Sequence, residues 1–300
     1  MTELYWLPTV PDWRDRLRAL PDEPLMAWEH AVALANARLN FVQTNSLDAA
    51  LRQRVTAPPA GIATKPERLA VLGSATLAHL LPAIRVGGLR RGIWIDTYEG
   101  EFGQYMQELA DPPDALRDFA PTAVLLALDA HHLTAELHPS MDSAEAEAAL
   151  AATVSRVRDA WRQARAAFRC PVIHQAALPL HLPLLGHNEH RLPGSRAGAL
   201  TRLNAALREA ADADGVDILA LDDRAAVDGL LAWHKPTLWH HAKQEISPVA
   251  APLYGDLVAR LLAARQGRVG KCLVLDLDNT LWGGVIGDDG LEGIVLGQGS

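Results

Sequence analysis

From residue 68 onward the chain repeats one pattern that few folds accommodate: a short, nearly continuous apolar run, a loop, then a longer stretch of helical spacing. Continuous apolar runs of this length suit strands buried on both faces, and alternation with helices suits a parallel sheet with crossover connections. Residues 68–72, 92–98, 123–128, 172–176 and 216–221 are the predicted strands. Residues 76–89, 143–168, 198–213 and 248–264 are the predicted helices. Five strands connected in this way predict an α/β, flavodoxin-like three-layer sandwich, whose ligands gather outside the carboxyl ends of the strands. The stretch HLPLLGHNEHRLPGS, 181–195, is one long irregular insertion. Its His181, His187 and His190 read either as a zinc cluster or as a plain polar loop.

Before this block, residues 11–54 place Leu25, Trp28, Val32, Leu34, Ala35 and Leu39 at helical spacing, punctuated by Pro21 and Pro24. They predict a helical N-terminal extension over 1–65. TAPPAGIATKPE, 56–67, reads as a connector. The α/β domain is expected over 66–266, and a fresh buried strand, 272–275, opens a second βα signal within 267–300.

Composition narrows the function. The 300 residues are 49% hydrophobic and 21% charged, enough apolar material for a sizeable core. A net charge of -8 without a stripe of Lys and Arg argues against nucleic acid. Two cysteines, Cys170 and Cys272, are too few for a disulfide scaffold or a CxxC zinc site, which fits a reducing cytoplasm. Early Pro and charged residues exclude a signal peptide and an N-terminal membrane span, so a soluble protein is expected.

The sharpest motif closes the chain. CLVL runs straight into Asp276-Leu277-Asp278-Asn279-Thr280, which would deliver two carboxylates at the carboxyl end of a strand. Adjacent acids there can bind Mg²⁺, attack phosphorus and protonate a leaving group, or they can simply end a strand in a turn. Gly283, Gly284, Gly287 and Gly290 follow, and Asp288-Asp289-Gly290 between Val285-Ile286 and Ile294-Val295 predicts a β-hairpin flap.

LDLDNT resembles the first motif, DxDxT, of the haloacid dehalogenase (HAD) superfamily, and LDLDNTLWGGVIGDDGLEGI resembles its FkbH-like branch. The resemblance implies that Asp276 is a phosphoryl-accepting nucleophile, Asp278 an acid and base, and Thr280 a phosphate-contacting, turn-fixing hydroxyl. It places Mg²⁺ on the Asp276 carboxylate and the Asp278 carbonyl. It further implies transfer of a glyceryl unit from 1,3-bisphosphoglycerate to an acyl carrier protein with loss of phosphate, in polyketide-type biosynthesis. A HAD site also needs a later Ser or Thr, a Lys or Arg and further acids, so the 300-residue chain is expected to be truncated within that Rossmann-like domain and inactive alone.

The first predicted strand ends in VLGSATL, which sets Ser74 on a strand-to-helix turn. VLGSATL and YEGEFGQY resemble the N-terminal SGNH-hydrolase-like domain of FkbH-like proteins. That implies Ser74 as nucleophile, Gly100 and Gly103 as oxyanion donors, Asp129 where the fold offers an Asn or polar group, and His240 or His241 as base, His241 foremost. The expected acid three residues before the base is missing, since Thr237 and Leu238 stand there. Ser74 also reads as a helix N-cap and Lys243 as a solvated charge. A binding role toward a carrier arm or acyl group is therefore expected over a working esterase. The remaining histidines, His79, His131, His132, His138 and His174, show no ligand spacing. Cys272 reads as a small buried hydrophobe or as a thioester carrier.

Overall fold

The computed structural model describes residues 4–270 and 272–297, so the outermost ends of the expected N-terminal extension and last segment, together with Lys271, lie outside the described residues. The chain divides into two compact units, Met1–Gln266 and Gly267–Ser300.

In the first unit the five apolar runs form β1 (Glu67–Gly73), β2 (Ile95–Glu99), β3 (Ala123–Ala127), β4 (Val172–Gln175) and β5 (Asp217–Leu219). They pair in parallel in the order β2-β1-β3-β4-β5, the expected flavodoxin-like arrangement. β1 sits between β2 and β3, so the connections leaving β1 toward β2 and β3 toward β4 diverge, leaving a crevice at their carboxyl ends. Alternate residues of β1 face two different cores. Leu69 and Val71 pack with the helices Leu81–Leu89 and Ala251–Arg265, while Ala70 and Leu72 pack with Ser143–Phe168 and Arg196–Asp214. Both faces are therefore dry, as the unbroken apolar runs require.

The long helices start where the sequence supplies caps. Asp142 and Glu145 form a reciprocal capping box at the head of Ser143–Phe168, and Ser195 accepts from Gly198 at the head of the next helix. The N-terminal extension folds as Trp13–Arg18, Pro24–Ala35 and Phe41–Arg54, with Asn40 and Gln43 forming a second capping box. Trp28, Leu34, Leu47 and Leu51 of these helices pack on Val86, Leu89 and Trp94. They form an outer layer on the helix that follows β1.

Two helices of one layer meet without side chains between them. A Cβ on Gly87 would lie 2.4 Å from the Gly255 carbonyl oxygen, and one on Gly255 would lie 2.0 Å from that of Ala83. Next to this crossing Asp256, fully buried, receives Arg260 at 2.8 Å, Arg91 at 3.2 Å and Arg90 at 3.6 Å. Arg90 Nε also donates to the Ala35 carbonyl at 2.8 Å, tying the outer layer to the inner one. Burial lowers the Arg90 pKa to about 10 against the opposing pull of Asp256, so the guanidinium stays charged at neutral pH.

The second unit departs from expectation. Residues 272–277 form no strand, and Leu273 and Val274 are 80% and 87% exposed. An apolar run becomes a parallel strand only beside another strand, and the described residues of this unit offer none. Cys272, expected inside sheet layers, is exposed. The expected hairpin turn at Asp288-Asp289-Gly290 lies instead within a helix, Ile286–Gly293, interrupted at Gly290. Asp288 and Asp289 occupy its first turn, where carboxylates complement the helix dipole, and Asp289 accepts the Val285 N–H at 2.8 Å. The flanks still meet, since Gly283 and Val295 exchange two backbone hydrogen bonds.

Gly255→Ala should destabilise the first unit by about 1–3 kcal/mol or more, because backbone, not a flexible side chain, blocks the added methyl. Urea unfolding of the two proteins checks this; equal midpoints would show that the helices part at no cost.

Candidate functional site

Gly73 ends β1 where a Cβ would lie 2.4 Å from the Ala127 carbonyl oxygen of β3. This tight approach brings Ser74, after β1, against Asp129, after β3. The Ser74 hydroxyl donates to Asp129 Oδ2 at 2.5 Å and accepts the Asp129 N–H at 2.8 Å. Asp129 Oδ1 accepts the N–H groups of His131 and His132 at 2.9 and 3.1 Å, which makes it the N-cap of the short helix Ala130–Leu133. Ser74 is 7% exposed and Asp129 1%. The serine is thus satisfied by a carboxylate and an amide rather than poised on an imidazole.

The residues expected to activate it are placed differently. The helix Pro236–Ala242 does reach this turn: Thr76 donates its N–H to the Lys243 carbonyl at 2.9 Å and its hydroxyl to the Ala242 carbonyl at 2.7 Å. His240 and His241, however, are exposed on that helix, and Ser74 hydrogen-bonds to neither among the described residues. Gly103 spends its N–H on the Gly73 carbonyl at 3.1 Å, and Gly100 spends its own on Val71 at 3.0 Å. Both glycines continue the pairing beyond the strand ends, so neither N–H points at an oxyanion. Asp129, at the position where an Asn or polar group is expected, presents a carboxylate that would repel an oxyanion. A nucleophile, a base and an oxyanion hole are therefore not assembled here.

Of the imidazoles that do surround the crevice, His131 and His132 gave no signal by spacing, and His181 belongs to the loop read as a zinc cluster or a polar loop. His131 stacks on Trp239 with centroids 4.4 Å apart and meets His181 edge-on at 5.0 Å. His132 Nε2 pairs with the Tyr105 hydroxyl at 2.9 Å, and His181 Nε2 with the Thr134 hydroxyl at 2.9 Å. Burial lowers the pKa of all three rings below the usual histidine range. Among the described residues no group of three or more His, Cys, Asp or Glu is arranged to hold a metal, which removes the zinc alternative for His181, His187 and His190.

Behind Asp129 lies a carboxylic acid the sequence did not single out. Glu245 accepts the Ala130 N–H at 3.3 Å and the Gln175 amide at 2.9 Å, and the Tyr254 hydroxyl donates to Gln175 Oε1 at 2.8 Å. Burial first, and the Asp129 charge second, push its pKa up to about 8. The neighbouring His234 and Ser247 are buried too.

In the second unit Asp278 Oδ1 accepts the Trp282 indole N–H at 3.1 Å and the Ile286 N–H at 3.2 Å. Asn279, at φ 53°, accepts the Gly284 N–H at 2.9 Å, and Thr280 donates its N–H to the Leu277 carbonyl at 3.3 Å. Asp276 is exposed and accepts the Leu277 N–H. The motif forms a compact turn. Two carboxylates supply part of the near-octahedral oxygen shell that a Mg²⁺ ion takes, the remainder coming from water, phosphate or other residues.

The family described as FkbH, N-terminal domain, matches residues 68–242. Among solved structures, the N-terminal part of the protein BF1531 from Bacteroides fragilis, containing a phosphatase domain and complexed with Mg, is similar at 25% identity and a TM-score of 0.71. The match covers 87% of this chain and 66% of that one, so the chain spans just under two thirds of that protein. A lipase/acylhydrolase from Enterococcus faecalis is 13% identical over 66% of this chain and 96% of its own, with a TM-score of 0.42. An acetyl xylan esterase, AlAXEase, is 8% identical over 65% and 99%, also at 0.42. No curated protein matches.

Two outcomes follow from the geometry. Ser74→Ala should cost about 1–3 kcal/mol of stability, because it strands the buried Asp129 carboxylate, and should leave hydrolysis of p-nitrophenyl acetate at background in both proteins. Serine-dependent turnover in the wild type would refute this. The raised pKa of Glu245 means that the folded state holds its proton between about pH 4.5 and 8 while the unfolded state releases it, so stability from this group is lost as pH rises through that window. Urea midpoints should therefore shift in favour of Glu245→Gln, relative to wild type, between pH 5 and pH 8; a difference independent of pH would contradict the assignment.

Proposed function

The chain belongs to the FkbH family, and from that premise we propose that it serves in loading a glyceryl unit from 1,3-bisphosphoglycerate onto an acyl carrier protein, with release of phosphate. In this reading the first unit binds, and the phosphorus chemistry belongs to the segment around Asp276. The observation that carries the division of labour is the Ser74 hydroxyl, which donates to Asp129 at 2.5 Å and hydrogen-bonds to no histidine among the described residues. A serine held in this way does not supply an acyl-enzyme, so the α/β unit is assigned to recognition rather than ester cleavage.

The acyl phosphate of the donor loses its phosphate when the carrier thiol takes the acyl group. The remaining phosphate ester is then cut by Asp276, whose carboxylate attacks phosphorus while Asp278 protonates the leaving alcohol; water, deprotonated by Asp278, releases phosphate from the aspartyl phosphate. The turn seen at 276–284 supports these roles, because it presents Asp276 to solvent and orients Asp278 through two N–H donors. The Mg complex of the Bacteroides protein supports Mg²⁺ as the counter-charge in the full-length protein, with Asp276 and Asp278 as two of its ligands. Phosphatase-type chemistry without carrier loading is the coarser form of the same reading.

Full-length protein incubated with Mg²⁺, 1,3-bisphosphoglycerate and a carrier protein should yield glyceryl thioester by mass spectrometry. Asp276→Asn should abolish the product by about a hundredfold or more, whereas Ser74→Ala should retain it in proportion to folded protein. Asp276→Asn should instead leave the phosphoglyceryl thioester; undiminished formation of the dephosphorylated glyceryl thioester by Asp276→Asn would place the phosphorus chemistry elsewhere.

A further inference from the structure

The segments that follow β4 and β5 make a face unlike the rest of the molecule. The whole chain has 36 acidic against 28 basic residues. Residues 181–196 and 234–243, which form this face, hold Arg191, Arg196, Lys235 and Lys243 against one carboxylate, Glu189. Glu189 is engaged by the Leu185 N–H at 2.7 Å and the Ser195 hydroxyl.

The same face exposes apolar surface. Leu182, Leu184 and Leu185 are 86%, 62% and 48% exposed within four residues, in the loop that precedes Arg191. His181, at the base of this loop, meets His131, and His131 stacks on Trp239 of the helix Pro236–Ala242. Lys243 Nζ lies 5.3 Å from the centroid of the Trp239 ring. The loop and the helix are therefore joined through His131 into one surface at the carboxyl edge of the sheet, above the crevice between β1 and β3.

We propose that this face, formed by the loop 182–191 and the helix Pro236–Ala242, docks an acidic protein domain that presents an apolar patch ringed by Asp and Glu. Resting on the function proposed above, that domain is the acyl carrier. Leucines desolvated at the centre of a contact supply its affinity, and a rim of cations meeting a rim of carboxylates supplies orientation and a fast encounter. An anionic membrane is the less suited occupant, because surface attraction of this kind takes a dense cluster of Lys and Arg, whereas these four cations are dispersed among neutral residues.

The test uses the 300-residue chain and a fluorescently labelled acyl carrier protein, read by anisotropy. Wild type should bind, and binding should weaken about tenfold or more when salt rises from about 50 to about 500 mM. The triple variant Leu182→Ser, Leu184→Ser, Leu185→Ser and the double variant Arg191→Glu, Lys243→Glu should each bind about tenfold or more weakly, with thermal unfolding unchanged because every one of these side chains is exposed. Carrier binding that the variants leave intact would overturn the surface while the proposed function stands. Absence of carrier binding by wild type would overturn both. Wild-type binding to phosphatidylserine vesicles instead of the carrier, or self-association that the triple variant abolishes, would overturn the assigned occupant.

Discussion

Strand β1 runs between β2 and β3 and is covered by helices on both faces, so every side chain from Leu69 to Leu72 must find an apolar neighbour and every polar main-chain group a partner strand. That requirement fixes the closeness of β1 and β3, closest at Gly73 and Ala127, where no side chain larger than hydrogen fits. It also fixes what happens one residue later. Ser74 and Asp129 leave the sheet side by side in a nearly water-free corner, and each satisfies the other. The corner is held from behind by Glu245 and Gln175 and from the side by the N-cap of Ala130–Leu133. A hydroxyl locked in such a network contributes order and stability, and its proton is already committed to Asp129.

The β1–β3 corner also decides what the carboxyl edge of this sheet can do. In that architecture the carboxyl edge gathers whatever the loops carry, and the chemistry depends on the side chains brought there. Here the loops bring a carboxylate where an oxyanion donor would be needed, glycine amides already spent on β1, and imidazoles made hard to protonate by burial. The edge is polar inside, closed by hydrogen bonds to Thr76, and apolar with cations outside. This is the basis on which we propose recognition of a partner rather than turnover of a small ester for the first unit.

Much of this architecture was legible in the sequence, because strands buried on both faces read as continuous apolar runs and long helices carry their own caps. The five strands, the helix Ser143–Phe168 and the helical N-terminal layer fall where the spacing put them. What escaped was whatever depends on pairing at a distance. The run 272–275 has every local mark of a strand and forms none, since strand formation is a property of neighbours. Glu245 gives no local sign of burial, and His131 becomes part of the crevice only through Trp239, more than a hundred residues away. The short helix Pro236–Ala242 went unrecognised because a helix of that length has no room for a periodic apolar stripe. The Ser74 turn was located correctly, while its partner was not: the reading looked to His241, and the sheet supplied Asp129.

No helix among the described residues is long and apolar enough to cross a membrane. The account turns on the state of one oxygen atom, Ser74 Oγ. Its reactivity can be measured directly by incubating the chain with a fluorophosphonate, which bonds covalently to serines activated by a neighbouring base, and weighing the intact protein. Held by Asp129 and lacking a histidine, Ser74 should stay unmodified and the mass unchanged. A single adduct on Ser74, lost in Ser74→Ala, would mean that a base reaches the hydroxyl and that the first unit is a working hydrolase.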